Sequence, residues 1–504
     1  MSETDLKLTM GLPGTEKEKK LETEPIGKLF LSLAVPSIIS QIVNLLYSVV
    51  DRMYVGHIPE TGTLALTALG VCVPIITLVS SFAQLVSSGA APLASIQLGS
   101  GQKARAEEIL GNSFSAMLIM SILLTAVLLI FTEPILTLFG ASEATMPYAA
   151  AYLRIYACGN IFVLLTLGLN AFITAQGFSK ISMVTVLIGA IANIILDPIF
   201  IYLFHMGVSG AAYATILSQA LSAVWAFRFF IKRMGILELK IKYMKLRARI
   251  IFPALALGLA PFIMFATESI LVLTYNSSLL KYGGDMAVGM MTILSTLMQF
   301  LMLPAQGLAQ GAQPIISYNY GAGNAVRVRE TFKRLIAAAF GVTLMIYLVF
   351  MFASKFVILP FTPDPELTEM TIWGIRIYFS AGVLIGIQMA SLQTLMALGK
   401  AGTSTFLSLL RKVILLIPFI YIFPLLMENK VFAIILAEPV ADVISVMTTI
   451  IVFSIQFRKT LKNMELSVIQ RDTAEHCDAV KNSAFHPIRG KNHIRSRTQL
   501  NSRK

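Results

Sequence analysis

The chain has 504 residues, of which 56% are hydrophobic and only 13% are charged. A soluble protein of this length needs more polar residues to cover its surface, so the composition excludes a soluble globular protein and places the chain in a bilayer. The net charge of +13 would suit a nucleic-acid-binding protein, but the basic residues lie in loops and tails. We therefore expect no nucleic-acid partner.

Apolar stretches of roughly 20 residues recur between positions 29 and 457 and predict about twelve membrane-spanning helices. They begin near Leu29, Leu64, Ile109, Met146, Met183, Gly210, Ile250, Met286, Phe332, Thr371, Thr403 and Val431. Helices are the expected form, because hydrocarbon offers no partners to backbone polar groups and barrel strands are much shorter. The first stretch is long enough to span the membrane, so we expect it to stay in the mature protein.

Basic residues are concentrated in one alternate set of the connections between spans. This set holds Lys103, Arg105, Lys180, Lys232, Arg233, Lys240, Lys242, Lys245, Arg247, Arg249, Arg327, Arg329, Lys333, Arg334 and Lys400. The other set holds only Arg52, Lys281, Lys355 and Lys430. By the positive-inside rule, this asymmetry predicts a multi-pass protein of the cell (plasma or inner) membrane with both termini in the cytoplasm.

Span one carries a stripe of polar residues on one helical face. The stripe consists of Ser37, Gln41, Asn44, Ser48 and Asp51, at spacings of four, three, four and three. A polar face in lipid must turn toward protein or water, so it either lines a cavity or bonds to neighbouring helices. We favour a cavity for the two amides and the carboxylate.

Span five carries a second polar row. Thr185, Gly189, Asn193 and Asp197 follow one another at i, i+4 spacing, and Pro198 comes next. A carboxylate beside a helix-disrupting proline finds freed carbonyls, as in the broken membrane helices that bind small cations, although Asp197 at a capped kink is a simpler alternative. By length, Asp51 and Asp197 lie at similar depth, so they could share a proton or bind a monovalent cation.

The second half differs at these positions. When Pro261 is aligned with Pro36, an offset of 225 (261 − 36), Asn276 stands in the place of Asp51. Glu268 lies about two turns earlier in span seven. A buried Glu with no cation near it in sequence is a candidate for receiving a cationic substrate or a proton, while pairing with an arginine is the structural alternative.

Two further rows lie in the second half. Span eight places Met291, Ser295, Met298, Met302 and Gln306 on one face. Methionine offers an adaptable lining for a substrate, but such a stripe also suits ordinary packing. Glu438 and Asp442 stand at i, i+4 in span twelve and are further candidates for lining a cavity.

The two halves repeat one sequence pattern. GAAPLASIQLGSGQKAR from Gly89 matches GAQPIISYNYGAGNAVR from Gly311 at an offset of 222 (311 − 89), and the same offset carries Gly177 onto Gly399. Matches in register across most of the chain are typical of a transporter built from a duplicated unit.

The repeat predicts an all-α polytopic membrane protein with two six-helix bundles, related by a pseudo-two-fold axis along the membrane normal. The predicted boundaries are a cytoplasmic leader (1–25), a first bundle (26–231), a basic linker (232–249), a second bundle (250–457) and a basic tail (458–504). We expect leader and tail to be solvated, with the tail disordered. Kinks are expected at Pro36, Pro261 and Pro198.

Catalytic chemistry has no support in the sequence. The histidines, His57, His205, His476, His486 and His493, all lie in predicted loops or tails, and the cysteines, Cys72, Cys158 and Cys477, form neither a disulfide framework nor a metal site. We therefore expect no enzyme and no cofactor. A channel is less suited than a transporter to duplicated, kinked halves around an acidic cavity.

Seven segments together resemble the multidrug and toxic-compound extrusion family. They are LYSVVDRMYVG (46–56), the two G-A-x-P…G-x-G segments, NAFITAQG (170–177), NIILDP (193–198), GAAYAT (210–215) and LGLAPFIMFATES (257–269). The resemblance covers roughly residues 26–457. It implies a V-shaped pair of six-helix bundles that alternates between outward-open and inward-open states and exchanges an organic cation for a proton or a sodium ion.

The resemblance also implies roles for individual residues. Asp51, Asn193 and Asp197 match the ion-coupling cluster, with no metal other than a transient Na⁺, and Asn170 and Thr215 match its hydrogen-bonding surroundings. The substrate-binding candidates are Gln41, Asn44, Glu268, Met291, Ser295 and Met298. Residues 373–397 contain no Asp or Glu, although some sodium-driven members carry one there, which shifts the expected coupling to the first bundle.

The predicted function is therefore secondary antiport of amphipathic, mostly cationic drugs or toxic compounds against H⁺ or Na⁺ by alternating access. The expected partners are small organic cations and membrane lipid, and the expected state is a monomer. The alternative is a flippase of the same fold for a lipid-linked oligosaccharide or polysaccharide. A major-facilitator transporter is a more distant alternative, since the charged loop that it carries after span two is absent.

Overall fold

The computed structural model describes residues 20–484 with the exception of positions 60 and 363. Within this range, every regular element is a helix. The first half contains α1 (Ile26–Gly56), α2 (Gly62–Gly99), α3 (Lys103–Ile130), α4 (Met146–Ala175), α5 (Ser179–Pro198) and α6 (Gly207–Ile231). A short helix, Thr132–Leu138, follows α3, and a π-helical turn, Ile199–Leu203, follows α5.

The second half begins with a continuous helical stretch, Ala248–Gly321, that is broken at Gly284. We name residues 248–283 α7 and residues 285–321 α8. The remaining helices are α9 (Ala325–Phe352), α10 (the two pieces Pro365–Tyr378 and Gly382–Ala397), α11 (Ala401–Leu426) and α12 (Lys430–Ala484). A π-helical segment, Leu410–Leu416, interrupts α11, and the short helix Ser354–Ile358 follows α9.

The helices account for twelve membrane crossings in the described residues. Ten helices are long and apolar enough to span a membrane, and α10, bent by 52°, adds an eleventh. The stretch Ala248–Gly321 has 74 residues, which is roughly 110 Å at ~1.5 Å per residue. This length is more than three times that of a bilayer core, so the break at Gly284 divides it into two spans. The all-α fold with about twelve spans is confirmed.

Sequence signals explain where several helices start or break. Asn324 accepts a hydrogen bond from the backbone N–H of Arg327 and caps α9. Asp364 caps α10 in the same way, with Pro365 at the first helical position. Gly284 has φ 65° and ψ −164°, a conformation that is essentially limited to glycine, so α7 and α8 separate there.

Three buried clusters hold the helices together. One lies in the first half, around Val55, Leu69 and Tyr156, and one lies in the second half, around Leu294 and Phe379. The third cluster joins residues of both halves, among them Leu29, Ala90, Ile315 and Leu395. Each half thus has a core of its own, and a shared core connects the two.

The connection between the halves has two-fold symmetry that follows the sequence repeat. A Cβ on Gly99 of α2 would lie 1.9 Å from the carbonyl oxygen of Tyr318 in α8. A Cβ on Gly321 of α8 would lie 1.9 Å from the carbonyl oxygen of Ile96 in α2. Both residue pairs differ by the repeat offset of 222 (318 − 96 and 321 − 99). The contacts therefore confirm the pseudo-two-fold relation of the bundles.

The leader also connects the bundles, at the same end as the basic connections. Leu21 is buried, and its carbonyl oxygen accepts hydrogen bonds from Asn319 Nδ2 (3.0 Å) and from the Arg327 guanidinium (3.1 Å). Its side chain packs close to Gly177 of the first half. The expectation of a fully solvated leader was wrong for these residues, because a buried leucine and a bound carbonyl fix them in place.

The basic linker is attached to the first bundle. Gln176 Oε1 accepts hydrogen bonds from the backbone N–H groups of Ile236 and Leu237, both at 2.8 Å. Lys240 Nζ donates to Glu107 Oε2 at 2.6 Å, and this bond raises the pKa of Lys240. The linker is therefore an ordered strap on the first bundle.

The tail differs from the expectation as well. Helix α12 continues beyond the predicted boundary at position 457, as far as Ala484. The prediction of a disordered tail is wrong for residues 458–484, and residues 485–504 lie outside the described part of the chain.

The glycine contacts between the bundles generate a first prediction. We expect Gly99→Ala to destabilise the protein by about 1–3 kcal/mol, because the new methyl group overpacks against Tyr318 and forces the backbones apart. Gly70→Ala in the same helix is the matched control, since a Cβ there meets nothing within 4 Å. Thermal melting of the purified proteins compares the two, and equal melting temperatures would contradict the proposed contact.

Candidate functional site

A pocket of about 50 Å³, lined mainly by polar residues, lies within the first bundle, between α1, α4, α5 and α6. Four of the residues singled out in the sequence line it: Asn44, Asn170, Asn193 and Thr215. They come from four different helices, so the spans that carry separate motifs in the sequence converge on one site.

The two carboxylates, Asp51 and Asp197, meet at this site. Their carboxyl groups lie within hydrogen-bonding range of each other. Asp197 has no exposed surface, and Asn193 Nδ2 donates to its Oδ1 at 3.2 Å. Two carboxylates in contact inside an apolar bundle repel each other unless a proton or a cation lies between them.

Four oxygen atoms around the pair have no hydrogen-bond partner in the structure. They are Asp51 Oδ1, Asn170 Oδ1, Asn193 Oδ1 and Asp197 Oδ2. Buried acceptors normally have a partner, and oxygen atoms are the ligands that hard cations prefer. The residues described contain no group of three or more His, Cys, Asp or Glu that could hold a metal ion. The donor set therefore suits a proton or a monovalent cation.

The shape of α5 explains how Asp197 and Asn193 reach the pocket. Both belong to one i, i+4 row and are buried. In the same row, a Cβ on Gly189 would lie 2.5 Å from Ser222 Oγ, so glycine allows α6 to approach closely. After Pro198, α5 continues as the π-helical turn Ile199–Leu203. Wide turns of this kind are frequent at functional sites.

Tyrosines at this site were missed in the sequence analysis. Tyr47 lines the pocket and stands one turn before Asp51 on α1. Tyr152 lies near Thr215, and Tyr202 donates to the carbonyl oxygen of Tyr54 at 2.7 Å. The i, i+4 relation of Tyr47 to Asp51 was a usable signal, because a phenol can also belong to a polar stripe.

The predicted acidic residues of the second half form ion pairs. Glu268 pairs with Lys412. Arg411 binds Glu438 at 3.1 Å and Asp442 at 2.6 Å. The expectation of a buried Glu268 was wrong, since 57% of its side chain is exposed. The alternative, in which Glu268 pairs with a basic side chain, holds, but the partner is a lysine and not the expected arginine.

The remaining candidates lie elsewhere. Met291 and Met298 are buried in the core of the second half, and Ser295 is half-buried beside them on α8. Gln41 is half-buried on α1 but does not line the pocket. A substrate-binding role for these four residues stays a prediction.

The predicted kink positions fall where proline affects the helices. Pro36 and Pro261 lie inside α1 and α7, and Pro198 ends α5 before the π-helical turn. Each removes a backbone donor from a membrane helix and so provides a place at which the helix can bend.

Known proteins are similar to this chain in sequence and fold. The MatE family model matches residues 36–199 and 261–422, one segment in each half. The multidrug export protein MepA of Staphylococcus haemolyticus (strain JCSC1435) is 25% identical over 454 residues, which cover 89% of this chain and 98% of MepA. MepA of Staphylococcus aureus (strain MSSA476) is also 25% identical, over 88% of this chain and 97% of its own length.

Solved structures agree with these relatives. The MATE multidrug transporter DinF-BH, solved as a complex, has 30% sequence identity and a TM-score of 0.80, over 88% of this chain and 97% of that chain. An outward-facing multidrug resistance MATE family transporter of the MOP superfamily has 21% identity and a TM-score of 0.82, over 88% and 98%. The latter likeness shows the fold.

The repulsion between Asp51 and Asp197 generates a second prediction. We expect the cation that neutralises the pair to raise the melting temperature of the wild-type protein, by the equivalent of about 2.7 kcal/mol at a hundredfold excess over its Kd. Thermal melting at pH 5.5 and pH 8, each with NaCl or with choline chloride at equal ionic strength, identifies that cation as H⁺ or Na⁺.

Asp51→Asn removes the repulsion and should make the melting temperature insensitive to both cations. The control is Asp285→Asn, an exposed carboxylate at the start of α8, which should respond like the wild type. An Asp51→Asn protein that still responds like the wild type would show that the cation binds elsewhere.

Proposed function

The chain belongs to the multidrug and toxic-compound extrusion (MATE) family of multidrug efflux transporters, and we propose that it exports amphipathic, mostly cationic compounds in exchange for protons or sodium ions. The observation that carries the proposal is the proximity of Asp51 and Asp197 beside the pocket of the first bundle, together with the unpartnered oxygen atoms there. Such a site binds a cation reversibly, because the cation relieves the repulsion of the pair.

The conformation of the two bundles follows from where they touch. Their close glycine contacts lie at the end of α2 and α8 that precedes the basic connections. Apart from Val55, the buried residues of α1 all lie between positions 26 and 40. With the basic end in the cytoplasm, as the positive-inside rule predicts, the bundles are closed inward and their cleft faces outward.

Coupling follows from the position of the site on two separate helices. Asp51 belongs to α1 and Asp197 to α5, so a cation between the carboxylates draws these helices together. Pro36 and the π-helical turn after Pro198 provide places where α1 and α5 can bend. If the cation favours one arrangement of the helices and the substrate favours the other, the bound cation lowers the protein's affinity for the substrate. The bound substrate then lowers the affinity for the cation by the same factor.

The class of substrate is supported by the relatives and by charge. MepA is a multidrug export protein, and DinF-BH is a multidrug transporter. In this chain, the Asn44 amide lines the pocket of the first bundle. The exposed carboxylate of Glu268 in the second bundle supports recognition of a positive charge. We infer that membrane lipid supplies the amphipathic substrates and that one monomer completes the site.

The flippase alternative has less support. A lipid-linked sugar carries phosphate, which needs free cationic side chains in the cavity. The two basic residues deep in α11, Arg411 and Lys412, are both paired with carboxylates. They are therefore not free to bind a phosphate group.

Transport by purified protein in liposomes tests the function. We expect ethidium movement to be driven by a proton gradient or a sodium gradient, imposed separately, and to fall more than tenfold in Asp51→Asn and Asp197→Asn. The reason is that either change leaves a single carboxylate, so the cation loses half of its charged ligands. Asp285→Asn is the matched control and should transport at the wild-type rate.

Two outcomes would contradict this function. Full ethidium transport by folded Asp197→Asn would remove the carboxylate pair from the mechanism. Transport of a lipid-linked sugar by the wild-type protein, with no response of ethidium to either gradient, would favour the flippase.

A further inference from the structure

The second bundle contains charged residues that the cation site of the first bundle leaves unexplained. They are Glu268 on α7, Arg411 and Lys412 on α11, and Glu438 and Asp442 on α12. With all five ionised, their net charge is −1, from two cations and three carboxylates. Charges at this depth are costly and require a partner or a function.

Three of these residues form a closed unit. Arg411 binds both Glu438 and Asp442, and the three side chains are only 7%, 7% and 2% exposed. Tyr275 donates a further hydrogen bond to Glu438 at 2.9 Å. The unit is buried inside the bundle, and each of its three side chains has a hydrogen-bonded partner, as a stable buried ion network requires.

The pair of Glu268 and Lys412 is different, because it is open on one side. The Lys412 side chain is 7% exposed, whereas the Glu268 side chain is 57% exposed. The ammonium group thus approaches the carboxylate from inside the bundle, while the other side of the carboxylate is accessible. A cation that arrives from outside the bundle meets a carboxylate that is already neutralised.

The sequence repeat relates Lys412 to the pocket of the first bundle. Helices α5 and α11 begin 222 residues apart (401 − 179), which is the offset of the repeat. By this offset, Arg411 corresponds to Gly189 and Lys412 to Ala190 (411 − 222 and 412 − 222). Gly189 and Ala190 line the pocket beside the carboxylate pair. At these two positions, the first bundle has small side chains beside the open pocket, whereas the second bundle has two positively charged side chains.

We propose that Lys412 is a built-in exchangeable cation: it neutralises Glu268 until the positively charged group of the transported compound displaces it from that carboxylate. The proposal rests on the proposed function, since it requires an organic cation as substrate. It assigns Glu268 to the substrate and Lys412 to the control of substrate affinity, with no second coupling ion in this bundle.

The surroundings of Lys412 can accept the displaced ammonium group. Its Nζ already lies 3.4 Å from the carbonyl oxygen of Met264. A small cavity of about 20 Å³ adjoins it, lined in part by Gln388 and Ser408. Gln388 uses its amide nitrogen to donate to Ser445, so its carbonyl oxygen can accept from the ammonium group. Lysine suits this exchange, because it is a flexible point charge.

Equilibrium binding of ethidium to the purified protein tests the proposal, with ethidium fluorescence as the signal. We expect Lys412→Met to bind ethidium about tenfold more tightly than the wild type, because the carboxylate of Glu268 no longer has a competing cation. Glu268→Gln should bind more weakly, and the double variant should show no gain. Lys281→Met, which removes an exposed lysine near the end of α7, is the control and should bind like the wild type.

Chemical rescue separates this role from a purely structural one. In Lys412→Ala, free ethylammonium should compete with ethidium and return its affinity to the wild-type value. Ethylammonium at the same concentration should have no effect on Lys412→Ala that also carries Glu268→Gln. A structural defect would not respond to the amine in this way.

Two results would overturn the inference: a Lys412→Met protein that binds ethidium no more tightly than the wild type, or a gain that persists in the double variant. If Lys412→Met and Lys412→Ala do not fold, ethidium binding to Lys412→Arg tests the inference instead. A guanidinium holds a carboxylate through two hydrogen bonds and should weaken ethidium binding; unchanged binding would overturn the inference. A wild-type protein that neither binds nor transports ethidium would instead contradict the proposed function.

Discussion

A carboxylate inside a membrane helix bundle has to be neutralised, and the fold meets this requirement differently in each half. In the first bundle, Asp51 and Asp197 face each other beside the pocket, and neither forms an ion pair within the described residues. In the second bundle, Arg411 and Lys412 supply positive charge from within the chain. In the proposed antiport, the first bundle takes its cation from solution, whereas the second carries its own. This difference makes one half the proposed site of ion coupling.

The same duplicated unit also provides the contact about which the halves can move. Gly99 and Gly321 allow the backbones of α2 and α8 to approach closely at two symmetric points. Side chains of both halves also pack together in the shared core. Leu21 and the linker bound by Gln176 lie at this end, where they hold the closed arrangement together across both bundles.

The sequence predicted those parts of the site that depend on spacing along one helix. The i, i+4 row of α5 correctly placed Asn193 and Asp197 on one face, where they share a hydrogen bond. The polar stripe of α1 placed Asn44 on the face that lines the pocket, because helical periodicity fixes which residues share a face. Partners on different helices could not be predicted in this way. Lys412 and Glu268 are 144 residues apart, and the π-helical segment of α11 that carries Lys412 has no periodic signal. Charge balance was a usable clue, since basic residues within spans need acidic partners.

The asymmetry between the bundles has a consequence for coupling. A substrate that exchanges with Lys412 at Glu268 does not compete directly for the carboxylates of Asp51 and Asp197, because these lie in the other bundle. The effect of the coupling ion on substrate affinity must then act through a change in the arrangement of the two bundles. The glycine contacts of α2 and α8 lie between the two sites. A ligand shifts such an equilibrium only by its difference in affinity between the two arrangements. Lys412 increases this difference in substrate affinity if it releases Glu268 in one arrangement of the bundles and pairs with it in the other. The built-in cation of the second bundle then becomes part of the coupling.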